Sequence, residues 1–198
     1  MTASSSRRFV PPTLLLALVA GAAQAASYQV DPSHTSVVFS ISHMGLSYTY
    51  GMFRECSGQV DFDSADPSAA RFRLTIPVAS IDTMNAKRDE HLQAADFFDA
   101  EKFPQIAFES TSVEPTTGPD GKPLYNVTGK LTLHGVTKEV TLPVRLLGES
   151  SGPSGGPRVG FHCQTTLKRS DFGMSGGIPA IGDSVGVTVS FECVPPQP

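Results

Sequence analysis

The sequence predicts an all-β domain, a sandwich or a closed barrel, behind an export leader. Three observations carry this. Apolar residues recur at every second position through most of the chain, the segments between them are rich in turn residues, and only one stretch has a helical composition. The 198 residues hold 15 Lys plus Arg against 19 Asp plus Glu, with no basic run beyond Arg7-Arg8. A formal charge of −4 without a basic patch argues against nucleic acid as a partner.

Arg7 and Arg8 precede an apolar stretch from Leu14 to Ala23 that closes on Ala23-Gln24-Ala25. Charge, length and small residues together read as a secretory signal peptide, residues 1–25, cleaved near Ala25. The stretch is far short of the roughly 20 residues of a spanning helix, and no later segment supplies such a run, so no integral membrane span is expected. Ser6-Arg7-Arg8-Phe9-Val10 also fits part of a twin-arginine signal, with the general secretory route preferred. The expected product is a periplasmic or secreted single domain, 26–198. Removing two basic residues and no acidic ones with the leader leaves it 13 basic against 19 acidic groups.

The strands follow in order, each with one apolar face. Val37, Phe39, Ile41 and His43 share the first, and Cys56, Gly58, Val60 and Phe62 the second. Whether the chain near Met52 continues one or begins the other is left open. Phe72, Leu74, Ile76 and Val78 form the third, Ile106 and Phe108 lead the fourth, and Tyr125, Val127, Leu131 and Leu133 make the fifth. Val140 to Leu146, Val159 to Leu167 and Val185 to Cys193 repeat the pattern, for about eight strands in all. Loops are expected at 64–67, from Pro115 to Pro123, at the tight hairpin His134-Gly135 and from Ser150 to Pro157. Residues 85–95 are rich in helix formers, and Asn85 is a fitting N-cap.

Few motifs point to covalent chemistry. Gly173-Met174-Ser175-Gly176-Gly177 matches a nucleophile elbow, yet Ile178-Pro179 and a strand follow where the elbow needs a helix, so a Gly-rich loop is the better reading of Ser175. No two of the five histidines stand at i and i+2 or i+4, so no local metal motif exists and no metal is expected. Cys163 and Cys193 lie on the last two predicted strands and would face each other if those strands paired in that register. A bridge between them and three buried inert thiols are both open. Arg88-Asp89 and Arg169-Ser170-Asp171 read either as structural ties or as the polar rim of an apolar cavity.

Longer motifs run through the whole mature chain. Tyr28-x-Val30-Asp31-Pro32-Ser33-His34-Thr35, Arg88-Asp89-x-His91-Leu92, Asp96-Phe97-Phe98-Asp99, Gly129-x-Leu131-Thr132-Leu133-His134-Gly135 and Arg169-Ser170-Asp171-Phe172-Gly173-Met174 occur in that order. This set resembles the bacterial YceI-like family from about Tyr28 to Glu192. The resemblance implies an eight-stranded, lipocalin-like antiparallel β-barrel with one short helix. It also implies a hydrophobic tunnel holding an amphiphilic lipid: a polyisoprenoid, an isoprenoid quinone or a fatty amide.

The resemblance selects barrel over sandwich, implies a binding protein without catalytic residues or a resident cofactor, and is compatible with a homodimer. Strand parity and the resemblance together nominate Phe39, Ile41, Ile76, Ile106, Phe108, Leu131, Leu133, Leu142 and Phe172 for the tunnel. His43, Arg88 and Arg169 are nominated for a polar head group. The alternatives are a quinone-linked redox partner module and, more weakly, a hydrolase using Ser175.

Overall fold

A computed structural model of the protein describes residues 25–152 and 155–196, so residues 1–24 of the expected leader fall outside the described residues. Period-two alternation becomes a single antiparallel sheet. Its strands are β1 (Ala26–His43), β2 (Ser47–Phe53), β3 (Ser57–Phe62), β4 (Arg71–Pro77), β5 (Ile81–Asp82), β6 (Gln105–Thr117), β7 (Pro123–Leu133), β8 (Val136–Ser151), β9 (Pro157–Lys168) and β10 (Ile181–Val194). One helix, α1 (Ala86–Gln93), lies between β5 and β6.

Pairing of β10 with β1 closes the sheet into a barrel, which leaves no free edge along that seam. Two of its staves are broken. Val37–His43 of β1 pair with Ser47–Phe53 of β2, whereas Ala26–Gln29 pair with Gln59–Phe62 of β3. Thus β2 and β3 are halves of one stave interrupted at Arg54-Glu55-Cys56. Likewise β4 pairs with β3 and β5 with β2, the two separated by a 3₁₀ turn at Val78–Ser80. Counted as staves, the barrel has eight antiparallel strands, as expected.

Two expected loops are shorter than their composition suggests. Pro115 pairs with Tyr125 and Thr117 with Pro123, and Ser151 pairs with Pro157, so both hairpins extend their ladders through Pro- and Gly-rich stretches. The helix is also shorter, at Ala86–Gln93, and its N-cap is Asn85, whose side chain accepts a hydrogen bond from the Arg88 backbone. At the hairpin between β7 and β8, His134 and Gly135 take consecutive left-handed conformations, with φ of 51° and 72°.

The register corrects the disulfide expectation. Cys163 lies opposite Val189, and Cys193 opposite Val159, so the two cysteines are four positions out of step, about 13 Å along the strand, beyond any disulfide. All three cysteines are free and buried, and burial pushes the thiols of Cys56 and Cys163 up to about 11 and that of Cys193 to about 12.

Candidate functional site: an apolar cavity with one cationic rim

Inward residues fall into two populations. At one end of the barrel they are fully buried and fill it, with Phe161 packed edge-on against Phe62 and Phe72 at centroid distances of 5.2 Å. Phe191, paired with Phe161 across β9 and β10, completes an aromatic plug. At the other end Phe39, Ile41, Ile76, Ile106, Leu142 and Val187 are only half-buried, because they face a cavity of about 570 Å³ rather than one another. Phe72 and Phe191 form part of its floor.

The opening is marked by wall residues that also meet solvent: His43, Ser47 and His91. Close packing shapes the wall beside them. Gly51 is paired with Phe39, and the Phe39 ring occupies the space a Cβ at position 51 would need. The helical segment closes the side of the mouth, contributing Arg88, Leu92, Phe97 and Phe98.

That segment is fastened through Thr83, which is buried. Asp89 accepts hydrogen bonds from the Thr83 backbone N–H (2.8 Å) and hydroxyl (2.5 Å), while Arg88 donates through Nε to Thr83 Oγ1 (2.7 Å) and through Nη2 to the Thr83 carbonyl (2.6 Å). Arg88 Nη1 has no hydrogen-bond partner among the described residues. This leaves one guanidinium nitrogen of a wall cation unassigned.

Arg169 is built differently. It is 5% exposed, and all three guanidinium nitrogens donate to backbone carbonyls: Nε to Gly182 (2.8 Å), Nη1 to Met174 (2.9 Å) and Nη2 to Ile181 (3.1 Å). Its burial lowers the pKa, the direction expected of a desolvated cation. Of the two roles open in the sequence, the geometry carries the structural one, tying the 3₁₀ turn and Met174 after it to the start of β10. Asp183 repeats the tie by accepting from the backbone and hydroxyl of Ser170.

The wall therefore includes Phe39, Ile41, His43, Ile76, Arg88, Ile106, Phe108, Leu131, Leu133, Leu142 and Arg169, that is, every nominated residue but Phe172. Phe172 is a correction: it is buried in the core beside the wall, on the 3₁₀ turn Arg169–Phe172, and its carbonyl accepts a hydrogen bond from His134 Nδ1–H (3.0 Å). Residues missed in the sequence include Ser47, Thr49, Thr83 and Met174. For Ser47 and Thr49 a signal existed in the pairing partners. They sit opposite His43 and Ile41, and paired residues share a face.

Ser175 follows a 3₁₀ turn and precedes further turns and then β10, so the strand–turn–helix frame of a nucleophile elbow is absent around it. A grouping that spacing did not reveal, Asp31, His34 and Glu192, brings its ligand atoms within 4.8 Å of one another. Arg158 Nη1 already donates to Asp31 (3.0 Å) and Glu192 (2.8 Å), so a guanidinium supplies the positive charge there.

Comparison with known proteins agrees with this architecture. A family model described as the YceI-like domain matches residues 28–193. The chain belongs to the YceI-like family. A UPF0312 protein of Ectopseudomonas mendocina is 41% identical over 89% of this chain and 91% of its own length. The protein YceI of Escherichia coli O157:H7 is also 41% identical, over 88% and 90%.

Among solved structures, Burkholderia cenocepacia BcnA superposes with a TM-score of 0.73 at 30% identity, covering 82% of this chain and 98% of that one. A domain from Saccharophagus degradans described as polyisoprenoid-binding shares the fold, with a TM-score of 0.67 at 16% identity over 87% and 99%. No helix among the described residues is long and apolar enough to cross a membrane.

Proposed function

We propose that this YceI-like protein is a periplasmic carrier that sequesters the tail of an amphiphilic lipid in the barrel and performs no covalent chemistry on it. The observation that carries this reading is an apolar cavity of about 570 Å³, open at one end, with no Asp or Glu in its wall. The Saccharophagus domain described as polyisoprenoid-binding, which has the same fold, supports the choice of cargo class. At about 30 Å³ per methylene-sized group, the cavity accommodates on the order of twenty carbons, or about four isoprene units.

Transfer of that hydrocarbon from water, at about 0.8 kcal/mol per CH₂, exceeds the cost of association and of ordering the tail. The polar end of the lipid meets His43 and the free Nη1 of Arg88, beside the His91–Asp96 pair. These groups favour a head that is anionic or accepts hydrogen bonds, such as a phosphate, a quinone carbonyl or an amide.

Native purification of the leader-free protein, organic extraction and mass spectrometry test the proposal, with a denatured sample as the control for surface lipid. A stoichiometric prenyl lipid, quinone or amide is the expected result. An empty protein that also takes up no prenol in a titration overturns it.

A further inference from the structure

The rim of the cavity carries an anomalous surface. On β2 the usual alternation is inverted: Ser47, Thr49 and Gly51 face the cavity side, while Tyr48 and Tyr50 point outward and are mostly exposed. The turn that precedes β2 continues the pattern with Met44 and Leu46, exposed by 61% and 83%. Met84, exposed by 84%, lies two residues beyond Asp82, which pairs with Met52 of β2. The Met44 backbone N–H donates to the Ala180 carbonyl (2.6 Å), which fastens the turn to the loop bearing exposed Ile178. The exposed side chains of Met44, Leu46, Tyr48 and Ile178 are thus gathered at one end of the barrel, and Tyr50 and Met84 continue the patch down its outer wall, Tyr50 about 10 Å below Ser47.

Local stability does not account for them. Met44 and Met84 both occupy left-handed backbone conformations, with φ of 54° and 62°, positions that favour Gly, Asn or Asp. A large apolar side chain there satisfies neither turn preference nor burial.

Charge identifies the occupant. In a chain with a net charge of −4, no Asp, Glu, Lys or Arg occurs from His43 to Phe53 or from Phe172 to Gly182, two of the segments that build this rim. On the adjoining segment the first charges after Met84 are Lys87 and Arg88. The neighbouring carboxylates of Asp82, Asp89 and Asp96 are engaged by Arg54, Thr83 and His91, while Glu90 remains exposed on α1. An anionic bilayer repels the carboxylates of an acidic protein, and these two segments bring none of their own against it. The same segments hold the cavity opening, through His43, Ser47 and Ile181.

We infer that this rim docks on a phospholipid surface, with the Met44–Leu46 turn inserted among the head groups so that the cavity opens directly onto the acyl layer. Tyr48 and Tyr50 are amphipathic rings of the kind that settle at that interface. The inference rests on the carrier reading for its purpose but not for its test. Cargo would then pass between bilayer and barrel without crossing bulk water.

The absence of Trp from the chain makes the test direct. In the Leu46→Trp variant of the leader-free protein, vesicles of equal parts phosphatidylethanolamine and phosphatidylglycerol are expected to shift the emission to the blue, with quenching by brominated lipids. The unsubstituted protein is expected to co-float with the same vesicles, and a Met44→Ser/Leu46→Ser/Tyr48→Ser variant, altered only at exposed positions, to lose about tenfold in bound fraction. Failure of the unsubstituted protein to float overturns the inference. So does a blue shift that appears with rising protein concentration in the absence of vesicles, which would assign the rim to a second copy of the chain. Extraction and mass spectrometry on the same samples separate the two readings: an empty protein that floats keeps the docking surface and removes the cargo, and a loaded protein that does not float does the reverse.

Discussion

Filling the cavity from its own wall is the most direct perturbation of the proposed carrier function. Thr165 on β9 lies opposite Val187 of β10, which in turn pairs with Phe39 of β1, placing it between the opening at His43 and the floor at Phe191. Its side chain is half-buried because it borders the cavity. In Thr165→Phe the added ring occupies space equal to about four methylene groups of cargo, which at about 0.8 kcal/mol each comes to about 3 kcal/mol. The dissociation constant should therefore rise somewhat more than about a hundredfold.

Titration with geranylgeraniol, followed by calorimetry, reads this value, and circular dichroism with thermal melting checks the fold. The Tm should hold, since the ring enters open space and overpacks nothing. Thr166→Phe, one residue on and facing solvent, should bind as the unsubstituted protein does. A folded Thr165→Phe variant with unchanged affinity would refute the assignment of the tail to this cavity.

Across a series of prenols, affinity should rise with tail length and level off at on the order of twenty carbons, as the cavity fills; a rise that continues well beyond this length contradicts the cavity volume. Arg169→Leu should lower stability by on the order of 3 kcal/mol or more, measured by urea unfolding, because three backbone carbonyls lose their charged donor. The Asp31 carboxyl is held well below the usual range, at about 2, chiefly by the His34 hydrogen bond, with the Ser33 N–H and Arg158 also acting. A depressed folded-state pKa stabilises above the unfolded value and is lost as pH falls, so the Tm deficit of Asp31→Asn should be full at neutral pH and close between about pH 4 and 2. The three thiols should resist iodoacetamide in the native protein and react on denaturation, with a melting temperature indifferent to reductant.

Much of the cavity wall was legible because parity on a strand is geometric. Val37, Phe39, Ile41 and His43 alternate with Val38, Ser40 and Ser42 and remain on one face in the barrel. Where burial and polarity diverge, parity misleads. On β2 the apolar rule would turn Tyr48 and Tyr50 inward, yet antiparallel pairing sets Thr49 opposite Ile41 and Ser47 opposite His43, and the register decides. The disulfide expectation failed for a related reason. Two cysteines on neighbouring strands meet only if the register aligns them, and register is set by contacts across the whole hairpin.

The sequence by itself determined the strand count, the dry face of nearly every strand and the capped helix, since these follow from local periodicity and local hydrogen bonding. Only the tertiary structure decided that Arg169 is a tie and Arg88 retains a free donor, that Phe172 lies behind the wall, and that the barrel is plugged at one end and open at the other. Each of those depends on which residues from distant strands come level across a closed ring, a property of the sheet as a whole and of no single segment.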